Sequence, residues 1–524
     1  MSHIIVCSHF PLHAGHPDCS SVSVPPFLMK LSTRILSELS SRNVAIPMYD
    51  RSKIKGGILH IGVGNFHRAH MGAYIEDLLH KDFEVGKEWG IIGAGILHFD
   101  QVKRDVLKPQ DWLQTLVEQD ADVVKPRVLG CMIDFLPIDT KTIETALQNP
   151  EVKIVSLTVT EGGYFLSDGK FDITNPLIQN DIKHPDDPKT IFGVLCKAAK
   201  YRKENNLPLF TILSCDNIPH NGDITRSVVM GLAQAQDGLF AKWLDASMAF
   251  PNSMVDRITP ATSFDQIKFI QNVYGYEDAA PIFCEPFRQW VLEDKFSLSG
   301  AAGRPPLDLL DNVIFVPDVG PYEFMKIRIL NGGHASLCYP SALLDLHYVH
   351  ESMEHPIIGA FLDVLQRQEI IPTIPPLPNI DLAEYWQTVA KRFSNPTLRD
   401  TIPRICFDGA SRQPKFIVGT IKDNIEKGRS IQGMALVSAL WCRYCQGKTE
   451  SGKMIPPNDP YWDRLQDLAL RAMMENPRIW LDGLPDVYGA IVSPVFINAF
   501  EKAFQSIQTH GVEGALKEYI ASVK

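Results

Sequence analysis

No uninterrupted apolar stretch in this sequence reaches the about 18 residues a membrane-spanning helix needs. A transmembrane anchor is therefore not expected. Positive charge is not in excess either. Lysine and arginine total 51 against 61 aspartates and glutamates, for a formal net charge of −10. That balance speaks against a nucleic acid or an anionic membrane as the main partner, because both demand a basic face. It leaves room for a local basic pocket that holds an anionic cofactor. The 10 cysteines lack the regular spacing of a disulfide framework. Scattered thiols suit a reducing compartment, and a cytoplasmic location is expected. Cys442 and Cys445 make one C-x-x-C, but "LVSALWCRYC" around them reads as a buried helix, not as a metal or redox motif. Internal repeats and low-complexity tracts are also missing.

The N-terminus is poor in the features of a targeting segment. "MSHIIVCSHFPLHAGHPDCSSVSVPPFLMK" has no helical period, no signal-like apolar core and no arginines of a transit peptide. Residues 1–45 read as an extension, disordered at least to 28, with Met29 as an alternative start.

What is present begins near residue 54. "GGILHIGVG" reads as a buried strand and "NFHRAHMGAYIEDLLHKD" as one helix. "WGIIGAGI", "EVKIVSLTVTEGGY" and "LPLFTILSCDNIPHNG" read as further strands. Helical patterns alternate with them, at "TKTIETALQN", about 189–205 and "ITRSVVMGLAQAQ". Strands alternating with helices predict a Rossmann-like, doubly wound parallel sheet in an α/β domain over 46–313. Such sheets bind ligands at the carboxyl ends of their strands. "GAAGRPPLDLLDN" reads as the connector. Beyond it the texture turns helical, so 314–524 is expected to be a mostly α-helical substrate and catalytic domain.

"GILHIGVGNFHRAHMGAY" raises the first functional question. Gly62 and Gly64 sit between a strand pattern and a helix pattern, as in a dinucleotide-binding turn. Gly62 would permit the tight turn, and Gly64 would let a pyrophosphate approach backbone N–H groups. The third small residue is late, however. His67 holds its usual place, and Ala69 is the nearest substitute. The alternative is a tight strand-to-helix turn with no ligand. His67 and His70 stand three apart without a nearby carboxylate or thiol, so packing or capping is the better reading than a metal. Asp100, after the second strand, is the nearest acid for a ribose 2′-hydroxyl and would favour NAD over NADP; a solvated loop aspartate is the other reading.

"PYEFMKIRILNGGHASL" carries the most chemistry. On a regular helix with Lys326 at the origin, His334 falls at roughly 80° and Asn331 at roughly 140°, with Arg328 pointing away. Gly332 and Gly333 cost roughly 1 kcal/mol each in a helix interior, which a close neighbour would justify. A desolvated lysine can serve as a base, and asparagine amides can donate to a developing alkoxide. An amphipathic helix with unrelated polar residues is the competing reading. Asp216 and Asn217 end one strand, and Thr160 ends another. Val255, Asp256 and Arg257 cluster between two prolines in "FPNSMVDRITP".

Together "GVGNFHRAH", "VTEGGY", "SCDN", "FPNSMVDRITP" and "KIRILNGGH" resemble the polyol-specific long-chain dehydrogenases of the mannitol dehydrogenase family. The similarity runs from about residue 46 to the end. It implies a metal-independent, monomeric enzyme that interconverts a polyol such as D-mannitol and a ketose such as D-fructose with NAD. By that resemblance Lys326 is the general base, Asn217 and Asn331 stabilise the alkoxide, His334 positions substrate and Glu323 passes the proton outward. Ile61, Gly62, Gly64, Asn65, Phe66 and Ala69 would serve the cofactor turn, with Asp100, Val255 and Asp256 as further cofactor contacts. Arg404 matches a substrate-side arginine. Arg412 stands where the family often has lysine, a different donor geometry. Keto-uronate reductase (fructuronate or tagaturonate), D-arabinitol dehydrogenase and a vestigial nucleotide-sensing protein remain alternatives.

Overall fold

The computed structural model describes residues 29–167, 169–378 and 380–523; the extension expected up to 28 lies outside them. The principal strands are β1 (Ile58–Ile61), β2 (Ile91–Ala94), β3 (Gln114–Gln119), β4 (Val124–Leu129), β5 (Met132–Phe135), β6 (Ile154–Leu157), β7 (Thr211–Ser214), β8 (Ser253–Asp256), β9 (Ile282–Cys284), β10 (Gln289–Glu293) and β11 (Val313–Val316). The helices that matter below are α1 (Asn65–Ala69), α2 (Met71–Lys81), α3 (His98–Leu107), α4 (Thr140–Gln148), α5 (Ile191–Glu204), α6 (Asn221–Gln236), α7 (Gly320–Lys326), α8 (Gly332–Leu343), α9 (Leu382–Phe393), α10 (Gln432–Cys445) and α11 (Pro494–Val523).

β1 and β6, "ILHI" and "IVSL", are buried at every position. Near-continuous burial is what a parallel strand covered on both faces demands. Their two polar side chains satisfy each other, His60 Nδ1 lying 2.8 Å from Ser156 Oγ. The sheet has the order β7-β6-β1-β2-β5, and every pairing is parallel. The chain winds outward from β1 to β5, then returns to β6 on the other side. This reversal opens a crevice at the carboxyl ends of β1 and β6, where ligands of such sheets bind. One apolar core lies on the face covered by α4, α5 and α6, and a second lies on the α2 face. Two small sheets, β9-β3-β4 and β8-β10-β11, flank the main one.

Residues 29–45 do not all stand apart as the extension reading implied. Met29–Lys30 pairs with Tyr276–Glu277, and Leu31, Leu39 and Val44 are buried with Leu113, Val128 and Phe283. The single helix expected over 65–82 is broken at His70, whose φ of −107° and ψ of −85° are not helical.

β11 feeds directly into α7, and the helical lobe follows. Its core is one continuous cluster that includes Met254 and Val291 from the sheet side. α10 is buried almost all round and packs on α11. Cys442 and Cys445 lie inside that helix, and burial pushes both thiols well above the ordinary range. Among the described residues every cysteine is buried and unpaired, no group of three or more metal-ligating side chains occurs, and no helix is long and apolar enough to cross a membrane.

Candidate active site

The crevice at β1 opens into a cavity of ≈ 1150 Å³, bordered by Ile61, Gly62, Gly64, Asn65 and Asp100. Gly62 has φ +94°, and a methyl group there would overlap the Thr158 carbonyl oxygen of the β6 end. Only glycine suits that turn. A methyl on Gly64 would meet nothing nearer than the Gly62 carbonyl at 3.8 Å, so its open face is left to a ligand. Gly64 is also the residue on which α1 begins.

The displaced third residue has a structural account. His67 stacks flat on His60 with ring centroids 3.4 Å apart, so an imidazole pair replaces the close glycine packing. His70 lies 2.9 Å from the Gln289 carbonyl through Nε2, and Phe66 stacks on it. Ala69 is fully buried and borders neither this cavity nor the two beside Lys326 described below; its carbonyl accepts from Arg257 Nη1 at 2.6 Å. Asp100 sits in the first turn of α3, where Oδ2 accepts from the amides of Ile96 and Leu97 at 3.1 and 2.9 Å. It thus shapes the turn after β2 as well as facing the cavity. Burial raises its carboxyl above the ordinary value.

Lys326 ends α7 at the seam between the two lobes. Its Nζ donates to Asn217 Oδ1 at 2.6 Å and to the Val255 carbonyl at 2.7 Å. Asn217 follows β7, Val255 lies in β8 and Lys326 belongs to the helical lobe, so three separate elements fix one nitrogen. The loop after β7 is held by Asn221, whose Nδ2 donates to the carbonyls of Asp216 and Ser253 at 3.0 and 2.8 Å. Burial pushes the Lys326 amine below the ordinary lysine value; Asp256 opposes that shift, Arg392 adds to it and Glu323 opposes it.

The helix after Lys326 is not regular. Ile327–Asn331 forms a π turn, closed by Gly332 N–H donating to the Ile327 carbonyl five residues back. One extra residue per turn takes about 100° off each angle, moving Asn331 from roughly 140° to roughly 40° and leaving His334 roughly 20° from Lys326. The regular-helix expectation was wrong in geometry, and the π turn brings the polar set together more tightly than it allowed. The glycine cost has its reason too. A methyl on Gly332 would come within 3.2 Å of the Phe416 carbonyl, and one on Gly333 within 2.9 Å of Gln366 Nε2. Arg328 points away, to Asp423 at 2.8 Å and Thr420 at 2.7 Å.

Two further cavities, of ≈ 640 and ≈ 490 Å³, meet at Lys326, Asn217 and Asn331. His334 and Arg404 border the larger, Glu323 and Arg412 the smaller. The His334 ring stacks on Phe393 at 4.0 Å, and its buried Nε2 has no hydrogen-bond partner among the described residues. Burial pushes this imidazole down to about 3, so it is neutral. Glu323 accepts from the His220 amide at 3.1 Å, and burial raises its carboxyl. Arg404 is spent on Asp400, with contacts of 2.6 and 2.5 Å, and Arg412 donates to the Ile405 carbonyl at 2.6 Å.

Asp256 is not a free carboxylate. Both its oxygens accept from Arg392 of α9 at 2.8 Å, and the same guanidinium reaches Glu285 at 2.8 and 2.9 Å. Burial works against the Asp256 anion, but Arg392 holds its pKa below the ordinary range.

Residues 56–307 match the family model described as mannitol dehydrogenase Rossmann domain, and residues 318–508 the one described as mannitol dehydrogenase C-terminal domain. A mannitol 2-dehydrogenase of Cereibacter sphaeroides is 46% identical over 486 residues, spanning 92% of this chain and 100% of the relative. The chain belongs to the mannitol dehydrogenase family. Mannitol dehydrogenase 2 of Saccharomyces cerevisiae is 38% identical, over 84% of this chain and 88% of its own length. Among solved structures, the Pseudomonas fluorescens mannitol 2-dehydrogenase in ternary complex with NAD and D-mannitol has 39% identity and a TM-score of 0.81, covering 94% of this chain and 100% of that one. A substrate-free D-sorbitol dehydrogenase has 33% identity and a TM-score of 0.83, over 93% and 100%.

Within this family chain the structure adds residues that the sequence reading passed over. Arg68, inside the quoted "NFHRAH", ties α1 to the cavity floor through Asn65 Oδ1 at 2.7 Å and the Ala280 carbonyl at 2.6 Å. Its place in the turn motif was an available signal. Arg392 and Glu285 left none, because 107 residues separate them.

Proposed function

We propose that the protein is an NAD-dependent polyol dehydrogenase that interconverts D-mannitol and D-fructose at C2. One observation carries the reading: Lys326 Nζ is fixed by two acceptors where the cavities meet. A neutral amine has two hydrogens and one lone pair. Asn217 and Val255 take both hydrogens, so the lone pair is left for the substrate hydroxyl. Burial favours that neutral form.

Asn217 offers its carbonyl oxygen to the lysine, which leaves its Nδ2 free to donate to the substrate oxygen. Asn331, brought over Lys326 by the π turn, supplies a second amide. Two donors aimed at one oxygen stabilise charge as it develops there. His334, neutral and unpartnered at Nε2, is suited to hold a neighbouring hydroxyl. Glu323, beside Lys326 on the smaller cavity, passes the abstracted proton outward.

The ≈ 1150 Å³ cavity fits a dinucleotide: a glycine at φ +94°, an open face at Gly64 and the start of α1 beneath it. NAD supplies the hydride acceptor when bound. Ile61, Gly62, Gly64 and Asn65 would hold it, with Phe66 and Val255 toward the reacting end. Asp100 would meet the ribose through Oδ1, which has no hydrogen-bond partner among the described residues. Asp256 and Ala69 would act from behind, by charge and packing. The dinucleotide-binding lobe is taken as 46–313 and the catalytic lobe as 314–524. We take the enzyme as a cytoplasmic monomer; unpaired buried thiols support a reducing compartment, and light scattering would test the assembly.

A neutral substrate is favoured over a keto-uronate because Asp400 neutralises Arg404. The test is NADH oxidation at 340 nm with D-fructose and D-fructuronate in parallel and NADPH as control. Fast loss with D-fructose and NADH supports the assignment. Preference for D-fructuronate would move the enzyme to the uronate branch, and no turnover with any ketose would sink it.

A further inference from the structure

Lys103 borders the dinucleotide cavity from α3 and has no hydrogen bond or ion pair among the described residues. Among the described residues none of the charged groups around it is paired with it. Asp100, one turn earlier, holds the amides of Ile96 and Leu97. Asp278, from the segment before β9, accepts from Gln110 Nε2 at 3.0 Å, the Thr115 amide at 2.6 Å and the Ala280 amide at 2.8 Å. Arg68 on α1 donates to Gly64, Asn65 and Ala280. Lys189, on the same cavity, is paired with Asp187 at 2.7 Å. A half-buried ammonium that shares a cavity with the Arg68 guanidinium, with Asp278 as its only opposing charge and no ion pair, is costly. The anion it lacks is the one a ligand of this cavity carries.

The turn itself needs such a charge. α1 spans only Asn65–Ala69, so it gives a single turn of N–H groups and little dipole. Arg68 touches the Gly64 carbonyl at 3.3 Å, and Lys103 lines the same cavity as Gly62, Gly64 and Arg68. We propose that the Lys103 ammonium binds the pyrophosphate of the adenine dinucleotide, closing the β1–α1 turn from the side of α3. The inference rests on reading the cavity as the cofactor site. Burial, and Arg68 after it, push the Lys103 amine down to about 8, with Asp278 opposing. A bound diphosphate reverses that shift, so binding near pH 8 draws in protons.

The experiment is calorimetric titration of the full chain at pH 8 with NAD, ADP, adenosine and 2′-AMP, in two buffers of different ionisation enthalpy. Charge-assisted contacts set the scale: Lys103→Met should weaken ADP about tenfold or more, leave adenosine unchanged and abolish proton uptake. Lys103→Arg should keep ADP binding and lose the uptake, since a guanidinium does not titrate there. Equal ADP binding by wild type and Lys103→Met would overturn the proposal and leave the cofactor reading standing. A loss confined to 2′-AMP would also overturn it, by moving the ammonium to the ribose edge. A wild type that binds neither ADP nor NAD would overturn the cofactor reading and the proposal with it.

Discussion

The two halves of the site are made of different material. The cavity proposed to take the dinucleotide is shaped by backbone: Gly62 at φ +94°, the bare face of Gly64 and the amides after β2. The seam at Lys326 is shaped by side chains from distant segments, with Asn217 at a separation of 109 residues and Val255 at 71. A backbone-made site writes itself into adjacent residues. A side-chain-made seam leaves its parts scattered, and its charges are buried where each must find a partner.

The sharpest way to break this division is Lys326→Ala. Turnover should fall roughly 10²- to 10⁴-fold, the range of a lost general base. NAD affinity, measured by fluorescence quenching, should stay near wild type. Near-normal turnover would remove the lysine from the chemistry. Arg392→Met attacks the seam through stability instead. It strands Asp256 and Glu285 as buried, unpaired carboxylates, and should cost about 3–5 kcal/mol in urea unfolding. An unchanged midpoint would show that the cluster does not hold the lobes together.

Asn331→Ala should lower kcat by about 10²- to 10³-fold, as for a lost oxyanion donor, with NAD binding intact. On the other side, Gly62→Ala should weaken NAD by about 1–3 kcal/mol from backbone strain, while kcat at saturating cofactor changes little. If Gly62→Ala instead abolished kcat, the two halves would not be separable. The mildest probe is pH. The proposed base, Lys326, would work unprotonated, so polyol oxidation should rise with pH and level off below the ordinary lysine value of 10.5, because burial lowers Lys326. Ketose reduction needs the protonated form and should fall through the same pKa. A limb at the value of a free lysine would contradict a buried base.

The same contrast governs what could be read from the sequence. The parallel sheet, the crevice and the G-x-G turn followed from local patterns, since burial on both faces and a positive φ act on neighbouring residues. The Lys326, Asn331 and His334 set was found by spacing, but its geometry was not. Nothing in "KIRILNGGH" announces a π turn, because the fifth-neighbour hydrogen bond is chosen by packing against Phe416, Gln366 and Phe393. Asp256 was assigned to the cofactor side by resemblance. Its bidentate partner on α9 lies 136 residues away and shares no local signature with it. The break at His70 likewise escaped, since "NFHRAHMGAY" has an unbroken helical period.

The π turn has one more consequence, which concerns length. It amounts to a single residue inserted into an otherwise continuous helix from Gly320 to Leu343. Deleting one residue from this turn would let the helix close normally, at the expense of buried contacts such as those of Ile329 and Leu330 or the Arg328–Asp423 ion pair. It would also turn Asn331 and His334 by about 100° away from Lys326. The residue count of this stretch therefore constrains the proposed site as firmly as the identities of its buried side chains constrain the core. A one-codon deletion here would part the proposed centre even where the fold survives it.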